Sequence, residues 1–144
     1  MKLLPLLLLL TAQAQAAEHW EGAYECNQGE TGLTLTLDPA PEGTTTALFH
    51  FYEAPSNPGV PEGCFTMSGT LNRATGAFDL QAGRWLLQPQ NYVSVDLHGT
   101  LQDGGAALQG VVAGPGCTMF VLRPVKRPLR PTTACYPALL SALQ

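Results

Sequence analysis

Few residues in this chain are of the types that do chemistry, and their spacing limits what can be asked of them. Asp96 and His98 stand two apart. On an extended strand that spacing puts both on one face, where a carboxylate and an imidazole could share a proton as an acid–base pair. Their face lies opposite Val93, Val95 and Leu97, which makes it the solvent side and the pair ordinary surface. His50 and Tyr52 also project outward by alternation. A metal site from His50, Asp96 and His98 would need two strands that are not neighbours. No G-x-S-x-G turn offers a serine nucleophile, and no glycine loop leading into a helix offers a phosphate cradle. Glu30, Glu53 and Glu62 lie near turns and are the remaining acidic candidates for a hydrolase. The expectation is no catalytic site, no metal and no cofactor.

The 4 cysteines, Cys26, Cys64, Cys117 and Cys135, carry more information. The chain opens Met1-Lys2, continues in a short leucine run and reaches Ala14-Gln15-Ala16. That is the plan of a secretory signal peptide, residues 1–16, cleaved after Ala16. A membrane anchor would need about 20 apolar residues, and this run is shorter. An even cysteine count in an exported chain implies disulfides, and no C-x-x-C spacing favours zinc. Bridged cysteines leave no thiolate nucleophile. The address is secreted or periplasmic, and the remainder is long enough for one domain with its own core.

Charge is unevenly placed. All 11 acidic residues lie between Glu18 and Asp103, where the only bases are Arg73 and Arg84. Arg123, Lys126, Arg127 and Arg130 cluster near the end. An acidic body disfavours nucleic acid, whose phosphates need clustered positive charge. The mature chain is expected to be a monomer that does not insert into a membrane. Its partner is left open as a small molecule, a glycan or a protein.

The elements that must position these residues are strands. Leu33, Leu35 and Leu37 alternate with threonines; Phe49 and Phe51 with His50 and Tyr52; Phe78 and Leu80 with Asp79 and Gln81. A period of two, rich in Thr, Val and aromatics, means strands with one buried and one wet face. Turns such as Asn27-Gln28-Gly29, Asn57-Pro58-Gly59 and Gly114-Pro115-Gly116 separate about eight strands near 20–26, 32–37, 46–53, 64–71, 76–87, 92–101, 106–113 and 116–122. Short links make neighbours antiparallel. The chain is therefore all-β, an eight-stranded up-and-down barrel over 17–122, with a two-sheet sandwich as the alternative.

An even strand number puts the end of strand one and the start of strand eight at the same rim. Cys26 and Cys117 occupy those places and are paired on that ground. Cys64 then faces Cys135, carried by a basic, proline-rich strap. The 123–134 stretch extended at about 3.1 Å per residue reaches about 37 Å, enough to climb a barrel wall. The strap and a short helix, 137–143, complete 123–144. Cys135 is expected to matter less to stability than Cys26 if it only pins the strap.

The 27–30, 54–63, 88–91 and 114–116 links share the cysteine rim. Loops stiffened by proline and bearing amides and an aromatic are where binding sites sit, which singles out Asn27, Gln28, Asn57, Gln90, Asn91 and Tyr92. The alternative is plain turns whose prolines limit chain entropy. Trp20, Tyr24, Phe49, Phe51, Phe65, Phe78 and Trp85 either fill the interior or line a pocket in it.

Trp20-x-Gly22-x-Tyr24 followed by short strands resembles the opening of avidin-like and lipocalin-like barrels. No ligand-binding residue of either family maps onto this chain, so the resemblance implies fold alone. Trp20-x-Gly22-x-Tyr24-x-Cys26-x-Gln28-Gly29, Trp85-x-x-x-Pro89-x-x-Tyr92-x-x-Val95, and Gly116-Cys117 with Phe120 are together similar to uncharacterised bacterial exported β-domains. That likeness spans about residues 20–123 and implies no activity. The resulting expectation is an exported, disulfide-stabilised binding module acting through one barrel rim. A small secreted hydrolase and a structural envelope protein are the alternatives.

Overall fold

A computed structural model describes residues 16–127 together with Leu9 and Cys135. Eight antiparallel strands run in sequence order: β1 Glu18–Cys26, β2 Gly29–Pro39, β3 Thr44–Glu53, β4 Gly63–Leu71, β5 Ala77–Leu87, β6 Asp96–Gln102, β7 Ala107–Ala113 and β8 Met119–Val125. Each pairs with the next, and β1 pairs with β8 from His19↔Val125 to Tyr24↔Phe120, so the sheet closes into an up-and-down barrel. Closure gives the first and last strands a partner on both sides. The bulk of the expected signal peptide (1–16), most of the strap and the 137–143 helix fall outside the described residues.

Alternation fills the interior. Leu33, Leu35 and Leu37 of β2, Phe78 and Leu80 of β5, Leu97 of β6, Leu108 and Val112 of β7 and Phe120 and Leu122 of β8 form one continuous core. Where β6 faces β7, Gly99 sits opposite Gly110. A Cβ on Gly99 would come within 2.3 Å of the Gln109 carbonyl oxygen and 3.0 Å of the Phe120 ring. The missing side chains thus make room for that ring.

Two disulfides join the chain, Cys26–Cys117 and Cys64–Cys135, with Cα–Cα distances of 3.8 and 6.3 Å. The first ties the β1 end to the residues leading into β8, where the Thr118 N–H also donates to the Glu25 carbonyl. The second lies on the outer wall. Cys64 and Cys135 are both buried, in a second apolar cluster with Leu48 and the partly buried Leu86 and Leu87. Cys135 therefore takes part in packing, which corrects the expectation that it merely pins a strap.

Three boundaries and one face differ from the sequence reading. β6 begins at Asp96 instead of 92, because 88–95 forms a turn-containing link. β8 is displaced to Met119–Val125, so Arg123 and Pro124 belong to the barrel and Cys117 precedes the strand. β2 extends back to Gly29, pairing with Cys26. Nor is the outer face uniformly wet: Thr34, Thr36, Leu48 and His50 point outward yet are buried. Tyr52 lies over Gly32, where a Cβ would meet its ring at 2.5 Å, and its hydroxyl bonds to Thr34 Oγ1 at 2.7 Å. His19 Nδ1 similarly meets Thr36 Oγ1 at 3.2 Å. Large neighbours folded across small residues dry this side of the barrel.

The sequence separations of the two bridges, 91 and 71 residues, are too similar for loop entropy to distinguish them. Replacing Cys26 and Cys117 together by alanine is expected to lower the unfolding free energy by about 2–5 kcal/mol. Replacing Cys64 and Cys135 should cost at least as much, because buried packing goes with the bond. Urea unfolding of the two double variants checks the order, and a smaller loss for the second pair would contradict it.

Candidate functional site

Above the packed interior, the cysteine end of the barrel carries a pocket. The ladder between β5 and β6 holds only from Ala77↔Thr100 to Leu80↔Leu97. Beyond it, Asp96 Oδ1 accepts the Ala82 N–H at 2.8 Å, so a side chain replaces the next backbone bond. The β4–β5 pairing is irregular here as well, with register shifts around Phe65. Thr66 Oγ1 accepts the Arg84 N–H at 3.0 Å across the irregularity. Such bulges bend a strand and re-aim side chains at barrel rims.

The freed link, 88–95, turns at the mouth. The Tyr92 N–H donates to the Pro89 carbonyl at 3.2 Å, and Gln88 Nε2 donates to the Tyr92 carbonyl at 3.0 Å. Asn91 takes φ 66°, a left-handed backbone that asparagine tolerates better than most residues. The turn lays the Tyr92 ring on Phe51, 12° from parallel with centroids 5.4 Å apart.

Beneath lies a cavity of about 390 Å³, here called the cup. Tyr24, Phe49, Phe51, Phe65, Tyr92 and Val95 line it, and Asn27, Gln28, Asn91 and the Cys26–Cys117 bridge stand at its edge. Its rings brace one another. Phe49 and Phe65 stack at 4.6 Å; Tyr24 meets Phe49 edge-on at 5.1 Å; the half-buried Trp85 meets Phe65 at 4.9 Å. Gly63 faces Phe51 across β3 and β4, and a Cβ there would meet the Phe51 ring at 2.3 Å. That glycine lets Phe51 lie back against the wall.

The polar edge is partly committed. Gln28 Nε2 donates to the Tyr24 hydroxyl at 3.3 Å and to Thr31 Oγ1 at 3.0 Å. Burial pushes the Tyr24 phenol well above the ordinary tyrosine value, Tyr92 nearby adds to this, and hydrogen bonds from Gln28 and Thr31 oppose it. Burial raises Tyr92 too. Both phenols are neutral at physiological pH.

Of the residues singled out at the rim, Asn27, Gln28, Asn91 and Tyr92 line the cup. Asn57 does not: its Nδ2 donates to the Gln28 carbonyl at 2.6 Å and the Glu30 carbonyl at 3.0 Å. The long 3–4 link thus braces the β1–β2 turn instead of offering its amide to a ligand. Gln90 is exposed and outside the lining. Val93, Val95 and Pro115 belong to the lining without having been among the singled-out rim residues; barrel closure brings them beside the Cys26–Cys117 bridge that strand parity placed here.

The acid–base candidates are dispersed. His98 Nδ1 pairs with Asp79 Oδ1 at 2.9 Å, its cross-strand partner on β5, and not with Asp96. Asp79 and His98 are both exposed. Glu53 Oε2 accepts the Gly59 N–H at 2.8 Å, and Glu62 Oε2 lies 3.6 Å from Nε2 of the buried His50. Among the described residues no group of three His, Cys, Asp or Glu is arranged to hold a metal ion.

A second cavity, about 500 Å³, sits at the opposite end among Glu18, His19, Trp20, Arg73 and Lys126. It is larger, and charged side chains stand in its lining. The cup is lined by residues of β1, β3 and β4 and of the links at the cysteine rim, none of them charged. No protein-family model, curated protein or solved structure matches this chain significantly.

The raised Tyr24 value has a consequence for stability. Above about pH 10 the unfolded chain releases this proton while the folded barrel keeps it, so unfolding gains and stability falls as pH rises. Tyr24→Phe is expected to flatten that decline. Urea unfolding at several alkaline pH values tests it, and an unchanged slope in the variant would assign the effect to other groups.

Proposed function

We propose that this chain is an exported, monomeric, disulfide-stabilised binding module that takes a small molecule in the cup at the Cys26–Cys117 rim. The observation that carries this reading is the cavity itself. An eight-stranded barrel is narrow enough to be filled by its own side chains, or to hold one small ligand. Here the interior is packed, and its core rings Phe49, Phe51 and Phe65, each about 1% exposed, form the floor of a pocket that opens at the cysteine rim. Voids in protein interiors are few, and each forfeits the contacts that would fill it. A volume of about 390 Å³ falls within the usual range of ligand pockets, about 300–1,000 Å³.

The leucine-rich opening of the sequence supports export through a signal peptide cleaved near Ala16. Two disulfides fit an oxidising, extracellular compartment, and no helix among the described residues is long and apolar enough to cross a membrane. The hydrolase alternative has less behind it. Asp96 is engaged by the Ala82 amide, His98 by Asp79 and Glu53 by the Gly59 amide, and none of these lines the cup.

Fragment screening by NMR on the oxidised protein tests the reading. Fragments that bind are expected to shift the amides of Cys26, Asn27, Asn91 and Tyr92. Gly63→Ala, which presses Phe51 into the cup, and Tyr92→Ala, which removes a wall, should each weaken them at least about tenfold, a loss of about 1.4 kcal/mol. Binding that leaves those amides unmoved would place the site elsewhere.

A further inference from the structure

We infer that the cup takes a small, uncharged molecule built on a flat unsaturated ring system, with a hydrogen-bonding group on its outer edge. This rests on the cup being the binding site.

Depth sets the first condition. Past the Phe49–Phe65 pair, away from the cysteine rim, the barrel is occupied by Leu37, Met67, Leu80 and Leu97. An extended acyl chain running down the axis would need that space. The ligand must be short and broad instead.

The walls set the second. Phe51 and Tyr92 lie within 12° of parallel, as do Phe49 and Phe65. Phe49, Phe51 and Phe65 are about 1% exposed and are locked by their mutual contacts and by Tyr24 and Trp85, so the partly buried Tyr92, laid flat on Phe51, is the stiffly backed ring at the mouth. Flat unsaturated rings match such a surface through offset-stacked and edge-to-face contacts. A sugar would also stack, but each hydroxyl carried inside would need a partner. The Tyr24 hydroxyl and the Gln28 amide nitrogen are already bonded to one another, and Gln28 to Thr31. The exposed amides of Asn27 and Asn91 remain at the mouth, so polar groups on the ligand belong at its outer edge.

Charge sets the third. No Asp, Glu, Lys, Arg or His lines the cup, and the tyrosines are held protonated. An ion of either sign would leave water for a site without a counter-charge. An anion would meet the acidic body as well.

One ring skeleton in three charge states separates the possibilities. 2-Naphthol, 2-naphthoate and 2-naphthyltrimethylammonium are titrated into the oxidised protein near pH 7, beside 1-octanol and cellobiose. Cup amides are followed by NMR. 2-Naphthol is expected to bind there at least about tenfold more tightly than any of the other four. Asn91→Gly keeps the left-handed backbone available while removing the side-chain amide. It should weaken 2-naphthol several-fold and leave naphthalene unchanged. A charged analogue, octanol or cellobiose binding in the cup within tenfold of 2-naphthol, or more tightly, overturns the ligand class while the cup stands as a site. Equal effects of Asn91→Gly on naphthol and naphthalene overturn the polar edge. If none of these probes moves the cup amides of a folded barrel, the binding-site reading falls too.

Discussion

Closure between β1 and β8 is the constraint on which the rest of this molecule depends. Six residue pairs, from His19↔Val125 to Tyr24↔Phe120, join the first strand to the last, and the Cys26–Cys117 bridge lies just beyond them. Once that seam is shut, neither end strand has a free edge along it, and every inward residue must share an interior barely wider than its side chains. Glycines at the inward positions 22, 69, 99 and 110 are where backbone or a neighbouring ring comes too close for a side chain. Closure also gathers the odd-numbered links at one mouth.

Beside the cup one seam is left incomplete. The β5–β6 ladder stops at Leu80↔Leu97, the following link turns through Asn91, and Tyr92 covers the gap that results. Several polar groups are engaged in holding this arrangement: Asp96 on the Ala82 amide, Gln88 on the Tyr92 carbonyl, Thr66 on Arg84.

The outer wall is asymmetric for a related reason. Around β2–β4 both faces are buried, through Tyr52 over Gly32 and through the cluster of Leu48, Cys64 and Cys135. The aromatic residues Phe49, Phe51 and Phe65 lie on these same strands, so the walls of the cup are backed on their far side. β5, β6 and β7 carry a more solvated outer face, with Asp79, His98 and Val111 exposed.

Local sequence determined the strands, because a period of two in residues such as Leu33, Leu35 and Leu37 can bury one side only as β-structure. It also determined the turns, the sheet direction and, through strand parity, the pairing of Cys26 with Cys117. It pointed to Asn27, Gln28, Asn91 and Tyr92, since loops of known parity share a rim. What alternation could not tell is which positions face water. His50 and Thr34 point outward and are dry, because covering by Tyr52 or Cys135 depends on residues distant in sequence. Nor could it tell that Asp96 would meet the Ala82 amide, that His98 would meet Asp79, or that Asn57 would brace a turn. Each of those contacts spans strands whose register is fixed only when the sheet closes. The hollow itself belongs to tertiary structure for the same reason: a cavity is set by how far apart its walls are held, and no single strand encodes that distance.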